Sequence, residues 1–146
     1  MSAALIEAAF PQLARNGYRI TSAESPNYNC FAWGFCNTQR WWSPVKDRGY
    51  YWPEGTPVDL TVDTFVRVYM KHSSYGRCAS AAHESGFEKL AIYANVKGEV
   101  THVARQLPSG KWTSKLGDWE DIEHNTLAAI EGQFYGKAVQ ILKRPL

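Results

Sequence analysis

The second half of the chain constrains the fold most strongly, because short β-rich runs alternate there with tight turns. Two of the runs flank the turn residues Pro108-Ser109-Gly110 and predict a β-hairpin. An antiparallel sheet is therefore expected. The runs predicted as strands are Glu88–Ala94, Val100–Leu107, Lys111–Leu116 and Lys137–Leu142.

The first half predicts helices and loops instead. Ser2 is a suitable cap for a helix from about Ala3 to Asn16, in which Pro11 should cause a break or kink and Gly17 a stop. Apolar residues at three- and four-residue spacing predict another helix over Thr61–Lys71. Further short helices are expected at about Asn29–Asn37 and from an Asn125 or Thr126 cap to Glu131, with turn-rich loops at 18–29, 40–59 and 72–86. Helices followed by a sheet indicate the α+β class.

Length and composition indicate one domain over residues 1–146. A chain of 146 residues is too short for two sound cores, and 45% hydrophobic with 21% charged residues is typical of a globular protein. The net charge of +2 argues against a dedicated nucleic-acid or membrane binder, and no apolar run is long enough to span a membrane. An odd count of 3 cysteines fits a reducing compartment. A cytoplasmic location is therefore expected, with export that reads no N-terminal signal left open.

Cys30 is the strongest candidate for a reactive residue. It follows the turn-forming stretch Ser25–Asn29 and opens a short apolar helix. A thiol at a helix N-terminus experiences the positive end of the dipole, which favours the nucleophilic thiolate. Its backbone N–H is also placed to donate to an oxyanion. Cys36 and Cys78 are expected to be structural.

His102 is the expected general base. Of the four histidines, it alone lies on a predicted strand that reaches the core, where the ring would be held rigidly. If the hairpin turns at residues 108–110, Ser114 lies on the same face as His102 and is placed to accept a hydrogen bond from the ring. A carboxylate orients imidazole better than a hydroxyl does, so three residues beyond the hairpin stay open as alternatives. These residues are Asp118, Glu120 and Asp121.

Other signals are weaker. A side-chain amide just before the nucleophile is able to donate to an oxyanion. Asn is also favoured in turns, so a purely structural role for these residues stays open. The expected oxyanion or substrate-binding set is Asn27, Tyr28, Asn29 and Trp33. Lys115 is expected to be solvated, and the aromatic residues of 40–59 are expected to pack that loop or to line a cleft. Zinc is not expected, because Cys30, Cys36 and His102 include no closely spaced ligand pair.

A cysteine on an early helix, a histidine on a later strand and a polar residue on the next strand form a recognisable order. The chain resembles the compact NlpC-type and CHAP-type branch of the papain-like cysteine hydrolases, with His102-Val103-Ala104 at the histidine and Ser114 at the third position. It is also similar to an uncharacterised bacterial group in its Tyr28-Asn29-Cys30-Phe31-Ala32-Trp33, Thr101–Gln106 and Trp112–Gly117 motifs. The departures are Ser at the third position and the absence of Asp-Cys-Ser-Gly around Cys30.

The resemblance implies a small papain-like domain with a Cys-bearing helix on an antiparallel sheet. It implies thiol hydrolysis of an amide-type bond, by peptidase or amidase chemistry, without a cofactor. The implied substrate is a peptide, a protein or a peptidoglycan-type amide, and an inhibitor or immunity protein stays open as a partner. Two alternatives remain: a deamidase or acyltransferase effector or toxin using the same residues, and a non-catalytic binding module with the same fold.

Overall fold

The computed structural model of the chain describes residues 3–45 and 49–146, so the expected cap at Ser2 lies outside the described residues. The architecture is α+β, as the sequence predicts. A seven-stranded sheet has the order β1-β6-β5-β4-β3-β7-β2, and every neighbouring pair is antiparallel. The strands are β1 Tyr18–Ser22, β2 Gly76–Cys78, β3 Phe87–Ala94, β4 Val100–Gln106, β5 Trp112–Lys115, β6 Asp121–His124 and β7 Lys137–Pro145.

Helices cover both faces of this sheet. The break predicted at Pro11 separates two short helices, and Gly17 ends the second with a positive φ of 89°. Thr61 caps the longest helix by accepting a hydrogen bond from the Thr64 N–H, and Thr126 caps a late 3₁₀ turn. The helices are α1 Ala3–Ala9, α2 Leu13–Asn16, α3 Cys30–Gly34, α4 Val62–Ser73 and the 3₁₀ helix Leu127–Ile130.

Alternation along the central strands divides the core in two, because successive strand residues point to opposite faces. On β3, Leu90 and Ile92 join the cluster that also contains Cys30 and residues of α4. Ala91 and Tyr93 join the other cluster, which contains residues of α1, α2 and the 3₁₀ helix. The sheet therefore separates two apolar layers, and side chains from adjacent positions of one strand enter different layers.

Three strands were not predicted. β1 lies in the expected loop 18–29, β2 in the expected loop 72–86, and β6 follows the hairpin. β1 and β2 are the edge strands, and four of the five residues of β1 are exposed, so neither carries an alternating apolar signal. β6 contains the charged residues Asp121 and Glu123, and its pairing with β1 and β5 depends on distant parts of the chain.

Candidate active site

The helix that carries Cys30 begins where Asn29 caps it. Asn29 Oδ1 accepts hydrogen bonds from the backbone N–H of Ala32 and of Trp42, each at 3.2 Å. Its Nδ2 donates to the Trp42 carbonyl oxygen at 2.7 Å. The buried amide therefore caps α3 and ties it to the aromatic loop, and these contacts account for Asn29 without an oxyanion role.

The Cys30 thiol is buried, with only 6% of the residue exposed. Burial raises its pKa to about 12, although the backbone N–H groups of Val103, Phe31 and Cys30 itself, and the Lys115 charge, act to lower it. The helix N-terminus was expected to lower the thiol pKa. Desolvation raises this pKa by more than the five-residue helix lowers it, so the net shift is upward. The resting thiol is protonated at neutral pH. Cys36, by contrast, is exposed.

His102 lies fully buried on β4, and its contact with Ser114 follows from the hairpin register. Leu107 N–H donates to the Lys111 carbonyl at 2.8 Å, and Arg105 pairs with Thr113. That register puts Ser114 beside the ring, with 2.9 Å between Oγ and His102 Nε2. The predicted contact is confirmed. Within residues 3–45 and 49–146, Nδ1 of His102 has no hydrogen-bond partner, so the Cys30 thiol does not bond to it.

Aromatic rings enclose the imidazole. The Tyr135 ring stacks on it with 4.1 Å between centroids and 11° between planes. Tyr93 meets it edge-on at 5.4 Å. Burial, together with the neighbouring His124, moves the pKa of His102 well below its usual value. The ring is therefore neutral and rigidly held.

His124 extends the polar chain beyond Ser114. Its Nε2 lies 2.8 Å from Ser114 Oγ, and its Nδ1 lies 2.9 Å from the Thr126 carbonyl oxygen. It is fully buried, and burial lowers its pKa to about 4. In the sequence, His124 precedes the last predicted helix, where the residue type suggests a cap or a binding residue. Its contact was missed because β6, which carries it, has too little apolar pattern to be predicted.

The carboxylate alternatives do not bond to the His102 ring, whose hydrogen bond goes to Ser114. Asp121 accepts from the Tyr28 hydroxyl, with 3.0 Å to each carboxylate oxygen, and from Ser22. Glu120 is buried, and Asp118 lines a surface pocket. The structure therefore places the hydroxyl, and not a carboxylate, against the imidazole.

The other predicted site residues have structural partners or face solvent. The Tyr28 hydroxyl is used in binding Asp121, and the Asn27 side chain is exposed. Trp33 is half-buried; its Nε1 donates to Thr113 Oγ1 at 3.0 Å and the Arg105 guanidinium lies 5.0 Å above its ring. Tyr28 and Trp33 thus help to seat α3 on β4 and β5.

The expectation that Lys115 is solvated is wrong, because its side chain is fully buried. Nζ donates to the carbonyl oxygens of Ser25 at 2.7 Å, Tyr28 at 3.1 Å and Gly117 at 2.6 Å. It also lies 4.6 Å from the centre of the Tyr28 ring. Three backbone acceptors compensate for the desolvation that lowers its pKa. Lys115 therefore fixes the segment that leads into Cys30.

Substitution of Lys115 by methionine is expected to destabilise the fold by about 2–4 kcal/mol, because three carbonyl oxygens lose a charged donor. The measurement is the free energy of unfolding in urea. Lys111→Met is the matched control, because Lys111 directly precedes β5 and is exposed. It should change the free energy of unfolding by less than about 0.5 kcal/mol. Equal effects of the two substitutions would contradict the role given to Lys115.

Cys30 and His102 lie on opposite faces of the sheet beside β4. Cys30 belongs to the apolar layer that includes Val103, whereas the His102 ring packs with Tyr93 of the opposite layer. The Val103 N–H acts on the Cys30 sulfur, and Val103 directly follows His102. The β4–β5 pairing covers only Arg105–Thr113 and Gln106–Trp112, so the strands are unpaired beside His102. The thiol and the imidazole are therefore in different layers, and no hydrogen bond among the described residues joins them.

Residues 19–143 match a family described as a domain of unknown function, DUF7689, and the chain belongs to that family. No curated protein matches the chain. No solved structure matches it either. The similarity to papain-like hydrolases stays a prediction from the sequence.

Three further features concern metal ligands, membrane-spanning helices and a pocket near the site. Among residues 3–45 and 49–146, no group of three or more His, Cys, Asp or Glu side chains is arranged to hold a metal ion. None of the helices described is long and apolar enough to cross a bilayer. A pocket of about 250 Å³ lies beside Tyr135, with Phe10, Trp119 and Asp118 in its wall.

Proposed function

We propose that this protein is a papain-like thiol hydrolase that cleaves an amide-type bond, with Cys30 as nucleophile and His102 as base. One observation supports the proposal: the buried His102 is hydrogen-bonded through Nε2 to Ser114, while its Nδ1 has no partner in the part of the chain that the structure describes. His102 also immediately precedes Val103, whose N–H acts on the Cys30 sulfur. A buried polar atom without a partner costs free energy, so a functional reason for it is expected.

The chemistry follows from a neutral thiol and a neutral imidazole. Because the two side chains lie in opposite layers, a rearrangement of β4 must first bring Nδ1 of His102 to Sγ of Cys30. The thiol proton then passes to Nδ1 as Sγ bonds to the substrate carbonyl carbon. The Cys30 N–H stabilises the oxyanion. The imidazolium then gives its proton to the leaving amine as the C–N bond breaks. Water, deprotonated by His102, cleaves the thioester, and the sulfur leaves as thiolate and recovers a proton.

Access to this site requires a local movement, because Cys30 and His102 are both buried. Tyr135 is the ring to move: it is half-buried, covers His102 and also lines the pocket shared with Phe10 and Trp119. This pocket lies on the histidine side of the sheet, so substrate must reach the Cys30 thiol from the other layer. Displacement of Tyr135 would also admit water for the second step.

Burial of the thiol also favours a second candidate. A protonated Cys30 with a pKa of about 12 would suit a non-catalytic binding module in which the cysteine only packs. Deamidation or acyl transfer, by contrast, would use the same residues as hydrolysis and differ only in the acceptor of the acyl group.

Acetylation by p-nitrophenyl acetate tests the proposal. In a Cys36→Ser/Cys78→Ser variant, Cys30 is the sole thiol of the chain. We expect a burst of p-nitrophenol and an acetyl group on Cys30, detected by peptide mass spectrometry. His102→Ala in this background should abolish the burst, whereas His72→Ala should retain it because His72 is exposed on α4. Absence of acetylation on Cys30 would support the packing alternative, whereas acetylation that persists in His102→Ala would remove His102 from the mechanism. Aminocoumarin amides of different acyl groups then define the substrate class.

A further inference from the structure

We propose that His124 is a positioning residue: the chain His102–Ser114–His124–Thr126 holds His102 in the tautomer that carries its proton on Nε2 and leaves Nδ1 as the base. The catalytic consequence rests on the function proposed above, whereas the tautomer itself does not. The four members are joined by contacts of 2.9, 2.8 and 2.9 Å.

The direction of the hydrogen bonds is determined from the Thr126 end. A carbonyl oxygen only accepts, so Nδ1 of His124 must carry a proton and donate it. Because His124 is neutral, its Nε2 is then an acceptor, and the Ser114 hydroxyl must donate to it. The proton of the Ser114 hydroxyl is therefore engaged in the hydrogen bond to His124.

The proton position on His102 follows from the direction of the Ser114 hydrogen bond. With its proton directed to His124, Ser114 Oγ is available only as an acceptor for His102 Nε2. Nε2 of His102 therefore holds the proton. Nδ1 of the neutral ring is an unprotonated nitrogen, and it is the buried atom for which the structure shows no hydrogen-bond partner.

Without His124, the direction of the hydrogen bond between Ser114 and His102 would not be determined. A free Ser114 hydroxyl is able to donate to Nε2 as readily as it accepts from it, so either tautomer of His102 would be satisfied. The second tautomer carries its proton on Nδ1 and is unable to take the thiol proton. His124 thus selects one tautomer, although it does not touch His102 or the reacting atoms.

The groups packed around the two rings preserve this arrangement. His102 faces the rings of Tyr93 and Tyr135, and burial raises the pKa of both hydroxyls well above the usual value. The hydrogen bonds of His124 go to Ser114 and the Thr126 carbonyl, neither of which titrates. Neutral surroundings therefore keep the proton order constant at physiological pH.

The experiment is ¹⁵N NMR of histidine-labelled protein, which distinguishes the two ring tautomers by nitrogen shifts and long-range couplings. We expect His102 of the wild type to be protonated at Nε2. In His124→Phe, which keeps a ring and removes the acceptor, the Nδ1-protonated tautomer of His102 should appear. In His124→Gln, whose amide oxygen accepts from Ser114, the wild-type tautomer should be retained.

Turnover of p-nitrophenyl acetate gives the matching kinetic result. His124→Phe should lower kcat by roughly tenfold to a hundredfold with KM little changed, and His124→Gln should restore most of it. Ser114→Ala should lower kcat by a similar factor because it interrupts the chain.

Two results would overturn the inference: wild-type His102 protonated at Nδ1, or an unchanged tautomer in His124→Phe. If His124→Phe fails to fold, the wild-type spectrum and His124→Gln still decide, since Nδ1 protonation in either contradicts the chain. The spectra need no substrate. Failure of the tautomer assignment is thus distinct from failure of Cys30 as nucleophile, which the acetylation experiment measures.

Discussion

Replacement of either Cys30 or His102 by alanine is expected to lower turnover by about a thousandfold or more, the largest effect that we predict. In the proposed mechanism Cys30 supplies the atom that bonds to the substrate, and its pKa of about 12 leaves almost no thiolate without a base. His102 would supply the buried nitrogen that takes the proton. The double variant should be no slower than either single variant, because the two residues act in one step.

The matched control for Cys30→Ala is Cys36→Ala, since Cys36 is exposed and lies just beyond the end of α3. It should retain full turnover. Circular dichroism and urea unfolding separate a chemical loss from a folding loss. A Cys30→Ala protein that folds and still turns over p-nitrophenyl acetate at the wild-type rate would refute the thiol mechanism.

Acidification from pH 6.5 to about pH 4 is expected to destabilise the fold by about 3 kcal/mol through His124 alone, and further through His102. Both folded-state pKa values are depressed by burial, to about 4 for His124. In this window the unfolded chain binds more protons than the folded chain does. Stability is therefore complete above the unfolded pKa of about 6.5 and falls as the pH decreases towards the folded value.

The measurement is the free energy of urea unfolding at a series of pH values. Carboxylates also contribute at low pH, so the informative quantity is the difference between the wild type and His124→Gln. The variant should lose about 3 kcal/mol less over this range. His83→Gln is the control, because His83 is exposed in the loop between β2 and β3. An equal pH dependence of the wild type and His124→Gln would contradict the prediction.

The local parts of the fold could be predicted from the sequence. The hairpin register follows from the turn at residues 108–110 and correctly places Ser114 against His102. The break at Pro11 and the cap at Thr61 follow from residue chemistry that acts within a few positions. Each of these features depends on residues close together in the chain, so the amino-acid sequence alone is enough to predict it.

The remainder depends on tertiary contacts. β1 is a strand because it pairs with β6, whose partner residues lie about a hundred positions away. Lys115 is buried because three carbonyl oxygens from two loops converge on it. Neither the convergence of those loops nor the pairing of the edge strands has an alternating apolar signal in the sequence.

The same limit applies to the site. The residue types and their order predicted Cys30, His102 and Ser114, but the depth of burial reverses the expected effect on the thiol pKa. His124 was not predicted because its strand contains a single fully buried aliphatic residue, Ile122. A hydrogen-bonded polar chain inside a core is visible only once the neighbouring strands are in place.

The order of the strands has a consequence for biosynthesis. β4, β5 and β6 are consecutive, so the contacts of His102, Ser114 and His124 close only short loops. Cys30, by contrast, emerges from the ribosome long before β4, whose Val103 N–H it faces in the finished protein. The nascent chain therefore carries an unshielded thiol with an ordinary acidity until the sheet has been synthesised. Cys30 is therefore buried only after β4 and the other strands that pack around it have been synthesised.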